Sequence, residues 1–180
     1  MKFFILVLLL FSNYLYADVN QKLFELYQKG MYTEACNYGY SFFARNEHNE
    51  PFVSLVGFAC LKADQIDRLS PVMSQLTQTP DARSNSAYFA LIVMQKKLLM
   101  RALYDNQPIQ NLKFPTSTYL LSKVFDLYVQ NPKKNDTIKE YQDPSNLRQS
   151  YKLYTIQIND LKSIAIDEYY DKILTVHHVY

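Results

Sequence analysis

The sequence predicts a mainly α-helical protein of about six helices, stacked as antiparallel hairpins, with a small antiparallel β-meander of three strands at the C-terminus. Over most of residues 18–130 apolar residues recur every three or four positions, which is the period of an amphipathic helix. Residues 131–146 are polar and contain two prolines, which favours a linker. After this segment the pattern shifts to a period of two, in runs rich in Tyr, Ile, Val and Thr, as expected for strands.

The N-terminus is typical of a secretory signal peptide. Lys2 supplies a short positive region, residues 3–11 form an unbroken apolar run, and small or polar residues follow up to Ala17. We therefore expect residues 1–17 to be removed, with cleavage between Ala17 and Asp18. The mature chain is then exported, and we expect to find it in a bacterial periplasm.

An uncleaved membrane anchor is the alternative for this segment. A spanning helix needs roughly 20 apolar residues, and Ser12 and Asn13 interrupt the apolar run earlier than that. No later segment is long and apolar enough to span a bilayer, so we expect no stable membrane span after cleavage.

The composition argues against several classes of function. The formal net charge of the whole chain is +2, and it falls to +1 when Lys2 is removed with the signal peptide, so nucleic acid is a poor candidate partner. Apolar residues make up 48% of the chain and 16 residues are tyrosines, which argues against a disordered protein. The chain has three glycines and no tryptophan, which disfavours an all-β fold or an enzyme fold with glycine-rich loops.

The stretch LYQKGMYTEA, residues 26–35, predicts two helices that meet at Gly30. Apolar residues fall at helical spacing on both sides of this glycine. Because glycine readily adopts the positive φ that ends a helix, Gly30 is expected to stop the first helix, as at a C-cap. Tyr27 and Tyr32 would fill the wedge between the two helices, and the small Ala35 would let their backbones approach closely.

The spacing Tyr-x-x-Gly-x-Tyr-x-x-Ala over residues 27–35 resembles the turn of a tetratricopeptide repeat, a helix–turn–helix unit of about 34 residues. A looser second copy follows in residues 55–69, where Asp64 stands at the position of the turn glycine and Leu69 at that of the alanine. The resemblance covers about residues 18–78. It implies stacked helical hairpins with a groove that binds another protein and that has no chemistry of its own.

Cys36 and Cys60 are the two cysteines of the chain. Export places them in an oxidising compartment, where an even number of cysteines favours pairing. The resemblance places them on consecutive helices of a stack, which are neighbours, so we expect a disulfide between Cys36 and Cys60. Two separately buried thiols are the alternative.

Beyond residue 79 the helices no longer follow the repeat. Thr79 as N-cap and Pro80 at the first helical position predict a helix that continues to about residue 104. A second amphipathic helix is predicted over residues 116–131. The predicted strands are residues 151–158, 163–170 and 173–180; they form a C-terminal domain, residues 147–180, that packs on the helical domain or on a partner.

No residue pattern predicts a catalytic, cofactor or metal site. His177 and His178 are neighbours in a predicted strand, so their side chains are expected on opposite faces, where they cannot bind one metal ion together. Asp167 and Glu168 are separated in the same way, and His48 lies far away in a predicted loop. We expect the histidines to be solvated or at the edge of the core, the two acids to be solvated, and the protein to have no cofactor and no enzyme activity.

The class of function that the sequence favours is protein binding. An exported stack of helical hairpins is expected to act as an interaction or scaffold module of the bacterial cell envelope, with a partner in the hairpin groove, at a free edge of the sheet, or at both. The alternative is a binder of a small ligand or an envelope polymer, in a tyrosine-lined pocket between the helices and the sheet. An enzyme with dispersed catalytic residues is the least favoured interpretation.

Overall fold

The structure is a computed structural model that describes residues 19–109, 112–115, 117–133 and 136–180. The predicted signal peptide, residues 1–17, and its cleavage point between Ala17 and Asp18 lie outside the described residues. The described helices are α1 (19–28), α2 (Tyr32–Ser41), α3 (Phe43–Asn46), α4 (Glu50–Lys62), α5 (Leu69–Gln75), α6 (Pro80–Tyr104) and α7 (Leu120–Gln130), with a 3₁₀ turn, Ile66–Arg68, before α5. The strands are β1 (Lys139–Asp143), β2 (Asn146–Ile158), β3 (Leu161–Tyr170) and β4 (Ile173–Val179).

The predicted class, mainly α-helical with an antiparallel sheet at the C-terminus, is confirmed. The chain divides into two compact units, and the division falls inside α6: the first unit ends at Phe89 and the second begins at Ala90. None of the described helices is both long and apolar enough to cross a bilayer.

In the first unit, α1 and α2 are joined by a tight turn at Gly30, which has a φ of +72°. The N–H of Gly30 donates to the carbonyl of Tyr27 at 3.0 Å, and the N–H of Met31 donates to the carbonyl of Leu26 at 3.1 Å. These two bonds and the left-handed residue between them make a Schellman motif, which ends α1. The rings of Tyr27 and Tyr32 pack edge to face across the turn, with 5.3 Å between their centroids.

The same turn recurs at Asp64, at the end of α4. Asp64 has a φ of +59°, its N–H donates to the carbonyl of Leu61 at 3.1 Å, and the N–H of Gln65 donates to the carbonyl of Cys60 at 2.9 Å. Asp64 therefore takes the left-handed conformation that Gly30 takes in the first turn. Aspartate adopts this conformation at some cost because, unlike glycine, it carries a Cβ atom.

Two glycines allow the helices of the first unit to approach closely. A Cβ atom placed on Gly39 of α2 would lie 2.6 Å from Val56 Cγ2 of α4, and one placed on Gly57 of α4 would lie 2.4 Å from Phe89 Cε2 of α6. Neighbouring atoms would have to shift to admit any larger residue at either position. The packing of α2 on α4 and of α4 on α6 thus depends on glycine, which has no side chain, at positions 39 and 57.

The predicted disulfide between Cys36 and Cys60 is present and joins α2 to α4, with 4.6 Å between the two Cα atoms. Both cysteines are fully buried. The two helices are also in contact beside the disulfide, through Gly39 and Val56.

The start of α6 is held by the buried carboxylate of Glu50, the first residue of α4. Glu50 accepts hydrogen bonds from the backbone N–H groups of Thr77, Gln78 and Thr79, at 2.7, 2.6 and 2.9 Å, and from the Thr79 hydroxyl at 2.8 Å. Thr79 Oγ1 in turn accepts from the N–H of Ala82 at 3.2 Å, as an N-cap residue does. Burial alone would raise the pKa of Glu50, but these hydrogen bonds outweigh it and lower the pKa.

In the second unit the strands form one antiparallel sheet in the order β1-β2-β3-β4. Two-residue turns, Asn159–Asp160 and Asp171–Lys172, connect β2 to β3 and β3 to β4. All four turn residues have positive φ, between 46° and 67°. This is the conformation of a type I′ turn, whose twist matches that of the strands.

The predicted strand count is wrong, because the sheet has four strands and not three. The additional strand, β1, lies inside residues 131–146, which the sequence predicted to be a linker. Its side chains alternate strictly between buried and exposed, but the buried ones are Lys139, Tyr141 and Asp143. Because two of these three are charged, the pattern of apolar residues does not show the strand.

Lys139 can be buried because its ammonium group donates two hydrogen bonds to backbone carbonyls nearby. Lys139 Nζ donates to the carbonyls of Lys133 at 3.0 Å and Asp136 at 2.6 Å. Burial lowers the pKa of Lys139, and the charge of Asp136 offsets part of that effect.

Asp143 is buried against hydroxyl groups and one lysine. Tyr151 Oη and Ser145 Oγ each donate to the carboxylate at 2.6 Å, and Lys123 Nζ of α7 lies 3.5 Å from it. Burial alone would raise the pKa of Asp143, but these groups hold it well below its ordinary value. The charged carboxylate therefore links α7 to the first two strands.

The inner face of the sheet is the core of the second unit. Its buried residues include Tyr151, Leu153, Ile164 and Ile166. At the other end of the sheet, Tyr104 Oη of α6 lies 2.7 Å from the carbonyl oxygens of both Ile156 and Ser163. Both α6 and α7 thus make polar contacts with the strands.

Candidate functional site on the outer face and free edge of the sheet

The outer face of the sheet, opposite its buried inner face, carries two rows of mostly polar side chains in register across the four strands. Strand pairing aligns one row of Gln142, Ser150, Tyr169 and Leu174 and a second row of Glu140, Lys152, Asp167 and His177. The second row alternates acid, base, acid and base. Opposite charges on neighbouring strands stabilise such a row.

The second row is held by short contacts. Glu140 Oε1 accepts from Lys152 Nζ at 2.9 Å, and His177 Nδ1 lies 2.6 Å from Asp167 Oδ1. Tyr154 Oη, in the next row, donates to Asp167 Oδ2 at 3.2 Å. The hydrogen bond to Glu140 raises the pKa of Lys152, so this side chain stays cationic.

Asp167 differs from the solvated acid that the sequence predicted, because it is only 8% exposed. Its two hydrogen-bond partners, His177 and Tyr154, lie on the strands on either side of it. The sequence shows no partner for Asp167, because both partners come close only through the strand register. The half-exposed His177 retains a second ring nitrogen beyond the one that contacts Asp167.

A groove of about 540 Å³ lies on the outer face where β1, β2 and β3 run side by side. We call it the β1–β3 groove. Its lining includes three lysines, Lys133, Lys152 and Lys172, together with Glu140, Gln142, Ser150 and Tyr169. Lys152 Nζ lies over the ring of Tyr169, 5.0 Å from its centroid, so the two side chains fix each other.

A smaller depression of about 220 Å³ continues the groove toward the turns that connect the strands. The two share Gln142, Ser150 and Lys172, and the depression adds Leu147 and the paired Arg148 and Asp171 to the lining. Leu147 is 79% exposed. Together they make one elongated surface with lysines along it and an apolar side chain at its end.

The edge strand β4 is the other unusual part of the sheet. It is last in the strand order, and no described strand pairs with its outer side. Ile173, Leu174 and Val176 are 69%, 51% and 45% exposed, respectively. The strand contains neither lysine nor proline, although such residues commonly protect an exposed edge from pairing with another chain.

The two adjacent histidines lie on opposite faces of β4. His178, on the inner side, contacts Glu168 Oε1 at 3.0 Å and stacks on the ring of Tyr180. His48 is exposed, and its nearest ion-pair contact is Glu47 at 3.8 Å. Within the described parts of the chain, no group of three or more His, Cys, Asp or Glu residues is arranged to hold a metal ion.

A separate pocket of about 240 Å³ lies inside the second unit, between the helices and β1. Ala102 and Leu103 of α6, Tyr128 of α7 and Lys139 of β1 are among its lining residues. Burial raises the pKa of Tyr128. This pocket has the position that the sequence predicted for a ligand site, but it contains one tyrosine rather than several.

The residues predicted at the hairpin turn are placed where they build the fold. Gly30 is the left-handed residue of the turn, Ala35 is fully buried, and Tyr27 and Tyr32 are half-buried against each other. None of the four has a large exposed side chain. Any surface of this hairpin that binds a partner is therefore formed by other residues.

Sequence reasoning missed most of the β1–β3 groove. The sequence predicts a linker at Glu140 and Gln142, and it gives Lys152 and Tyr169 no role beyond their positions in two predicted strands. The alternation of buried and exposed side chains along residues 139–143 is the signal that was available, and it is hidden because the buried set includes charged residues. Comparisons with protein-family models, curated proteins and solved structures gave no match for this chain.

Proposed function

We propose that this chain is an exported protein of the bacterial cell envelope that binds another protein by accepting a strand at the edge of β4. The single observation that carries the proposal is the uncovered apolar edge formed by Ile173, Leu174 and Val176. Export is supported by the sequence of residues 1–17 and by the Cys36–Cys60 disulfide, since disulfides persist in oxidising compartments.

The backbone of β4 is suited to strand addition. Ile164 and Tyr180 exchange both of their backbone hydrogen bonds, at 3.2 and 2.9 Å. In an antiparallel pair, hydrogen-bonded and non-hydrogen-bonded residue pairs alternate. The N–H and C=O groups of Val179, opposite Ala165, and of His177, opposite Asp167, therefore face the free edge, where an incoming strand would bond to them.

The side chains of β4 indicate the partner's chemistry. Ile173, Leu174 and Val176 carry no charge, so we propose that the partner contributes an extended segment with apolar residues at alternate positions. A partner that covers this edge also removes a surface that would otherwise favour aggregation.

The experiment is site-specific photo-crosslinking of the full chain in the bacterial envelope, with the photoreactive residue in place of the exposed Ile173. Val179→Pro removes one outward-facing N–H and leaves the bonds to β3 intact, whereas Val179→Ala keeps the N–H and is the matched control. We expect one partner protein to crosslink to the parent chain and to the Val179→Ala variant. The yield should fall at least about fivefold in Val179→Pro.

The proposal fails if no protein is crosslinked, if the only product is a second copy of this chain, or if Val179→Pro crosslinks as well as Val179→Ala. Near-ultraviolet circular dichroism of both variants checks that the sheet is intact.

The groove of the helical hairpins is proposed as a further partner surface. The Schellman turns at Gly30 and Asp64 lie 34 residues apart (64 − 30), which is close to the length of a tetratricopeptide repeat. This spacing supports the predicted resemblance. The edge of β4 supports the proposal more directly than the hairpin groove does, because its exposed apolar residues are known: Ile173, Leu174 and Val176.

Binding of a small ligand or an envelope polymer is the second candidate function, and the pocket beside Lys139 favours it. Its volume of about 240 Å³ is below the range of roughly 300–1,000 Å³ that is usual for ligand sites. This pocket is therefore small for a ligand site. Protein binding comes first because of the exposed apolar edge of β4, and the proposal includes no catalytic step.

A further inference from the structure

We propose that the β1–β3 groove is a second binding site, which takes an extended peptide segment with acidic side chains beside apolar ones. This site is distinct from the edge of β4, and it goes beyond the strand addition proposed above. The proposal rests on the charge of the groove, its unused hydrogen-bonding groups, its shape and the rigidity of its walls.

The charged side chains of the groove leave an excess of positive charge. Lys133, Lys152 and Lys172 line it against one acid, Glu140. Lys152 neutralises Glu140, and Lys133 donates to the backbone carbonyl of Glu140. The side chain of Lys172, in the exposed turn between β3 and β4, makes no hydrogen bond or ion pair with any described residue. A negatively charged ligand would compensate this charge.

The groove also holds polar groups that are available to a ligand. Ser150 Oγ and Tyr169 Oη make no hydrogen bond within the described part of the chain. Gln142 Nε2 donates to the carbonyls of Leu147 and Gln149, both at 2.6 Å, which fixes its amide group. Hydroxyl groups and an ammonium group are the donors that a carboxylate accepts from.

The shape of the surface favours an elongated ligand over a compact one. The groove and the smaller depression share Gln142, Ser150 and Lys172, so their combined path runs along the sheet. Leu147 lies exposed at the end of this path. A peptide with an apolar side chain next to its acidic ones would cover this leucine, whereas a chain of phosphates or uncharged sugars would not.

The walls of the site are fixed before any ligand binds. Lys152 lies over Tyr169, and Arg148 lies over the ring of Tyr170, 4.5 Å from its centroid. Arg148 Nε also donates to Asp171 Oδ1 at 2.9 Å. Because these side chains are already ordered, binding loses little conformational entropy.

The test is fluorescence anisotropy of the full chain with a labelled peptide in which Glu and Leu alternate. Lys172→Gln removes the unpaired charge, Lys172→Arg restores it, and Lys62→Gln removes one exposed charge from α4 in the first unit as the matched control. We expect Lys172→Gln to weaken binding about fivefold, Lys172→Arg and Lys62→Gln to bind like the parent chain, and added salt to weaken binding.

Three results would overturn the proposal: no binding of the Glu–Leu peptide, equal binding of a peptide with Gln in place of Glu, or equal weakening by Lys62→Gln and Lys172→Gln. Polyphosphate that binds while the peptide does not would also overturn it. Val179→Pro should leave peptide binding unchanged, so this site and the β4 edge can fail separately.

Discussion

At the scale of single residues, the glycines of the first unit act through two different physical effects. Gly30 has a positive φ, and a Cβ atom added to it would meet nothing within 4 Å. Its role is purely conformational. Gly39 has room for no Cβ atom, because Val56 Cγ2 would lie 2.6 Å away. Its role is steric.

Gly30→Ala should lower the free energy of unfolding by about 1–2 kcal/mol, because an L-residue with a Cβ atom is strained in the left-handed conformation. Gly30→Asn should cost less, since asparagine tolerates this region better. Urea denaturation of the full chain measures both values. A Gly30→Ala variant as stable as the parent chain would show that the turn can be remade without a left-handed residue.

Gly39→Ala should also destabilise, but through the contact with Val56. Val56→Ala in the same chain removes the clashing methyl group and should recover part of the loss, whereas it should recover nothing in Gly30→Ala. Double-mutant cycles in urea measure this coupling. Simple additivity of Gly39→Ala and Val56→Ala would contradict the steric explanation.

At the scale of elements, the sequence predicts those helix boundaries that are marked by a local signal, such as an N-cap residue or a proline. Thr79 and Pro80 mark the start of α6, and the structure begins the helix at Pro80. The pattern of apolar residues does not show β1, because its inward positions include Lys139 and Asp143. Lys139 is buried because it donates hydrogen bonds to the carbonyls of Lys133 and Asp136, and Asp143 is buried because it accepts from Tyr151 and Ser145. A count of apolar positions along the chain gives no sign of these bonds.

The candidate site was harder to predict than the fold. The strand containing Lys152 and the strand containing Tyr169 were both expected, but their position beside Glu140 and Gln142 depends on strand register. Register is set jointly by the turns and by the buried face. Because the sequence predicts a linker where β1 lies, it does not predict the wall of the groove that β1 forms.

The carboxylate of Glu50 joins the start of α4 to the start of α6, and its contribution should depend on pH. The lowered pKa of Glu50 means that the folded state favours the charged form. That stabilisation is present above the ordinary carboxyl pKa of about 4.3 and is lost as the pH falls through the lower pKa of the folded state. Glu50→Gln should therefore lower the melting temperature at pH 7, and the difference from the parent chain should narrow toward pH 3.

The matched control for Glu50 is Glu34→Gln, which removes an exposed carboxylate from the first turn of α2. Its melting temperature should follow that of the parent chain across the same pH range. Thermal unfolding monitored by circular dichroism gives both curves. A constant difference between Glu50→Gln and the parent chain at every pH would rule out the charged carboxylate as the cause.

At the scale of the whole molecule, the disulfide limits the freedom of the unfolded chain. Cys36 and Cys60 are 24 residues apart, and closing a loop of this length stabilises the fold by about 3–4 kcal/mol in the chain-entropy model. The double substitution of both cysteines by serine should lower the free energy of unfolding by about that amount. It should also make stability in urea insensitive to reductant.

Intact mass with and without reductant, which differs by two hydrogens when the bond forms, tests the disulfide independently of stability. Labelling of free thiols in the unreduced parent chain would contradict it. Equal stability of the parent chain and the double variant would show that the packing around Gly39 alone holds α2 on α4.

The position of the unit boundary inside α6 limits how the protein can be studied. A fragment ending at Phe89 would keep only the first ten of the helix's 25 residues (Pro80 to Phe89), and isolated helices that short are marginal in water. A fragment starting at Ala90 would begin in mid-helix, with no N-cap and without the anchorage that Glu50 gives the first turn. The edge of β4 and the β1–β3 groove therefore cannot be isolated by truncating the chain. A truncated chain that no longer binds a partner could have lost either the binding residues or the folded helix α6.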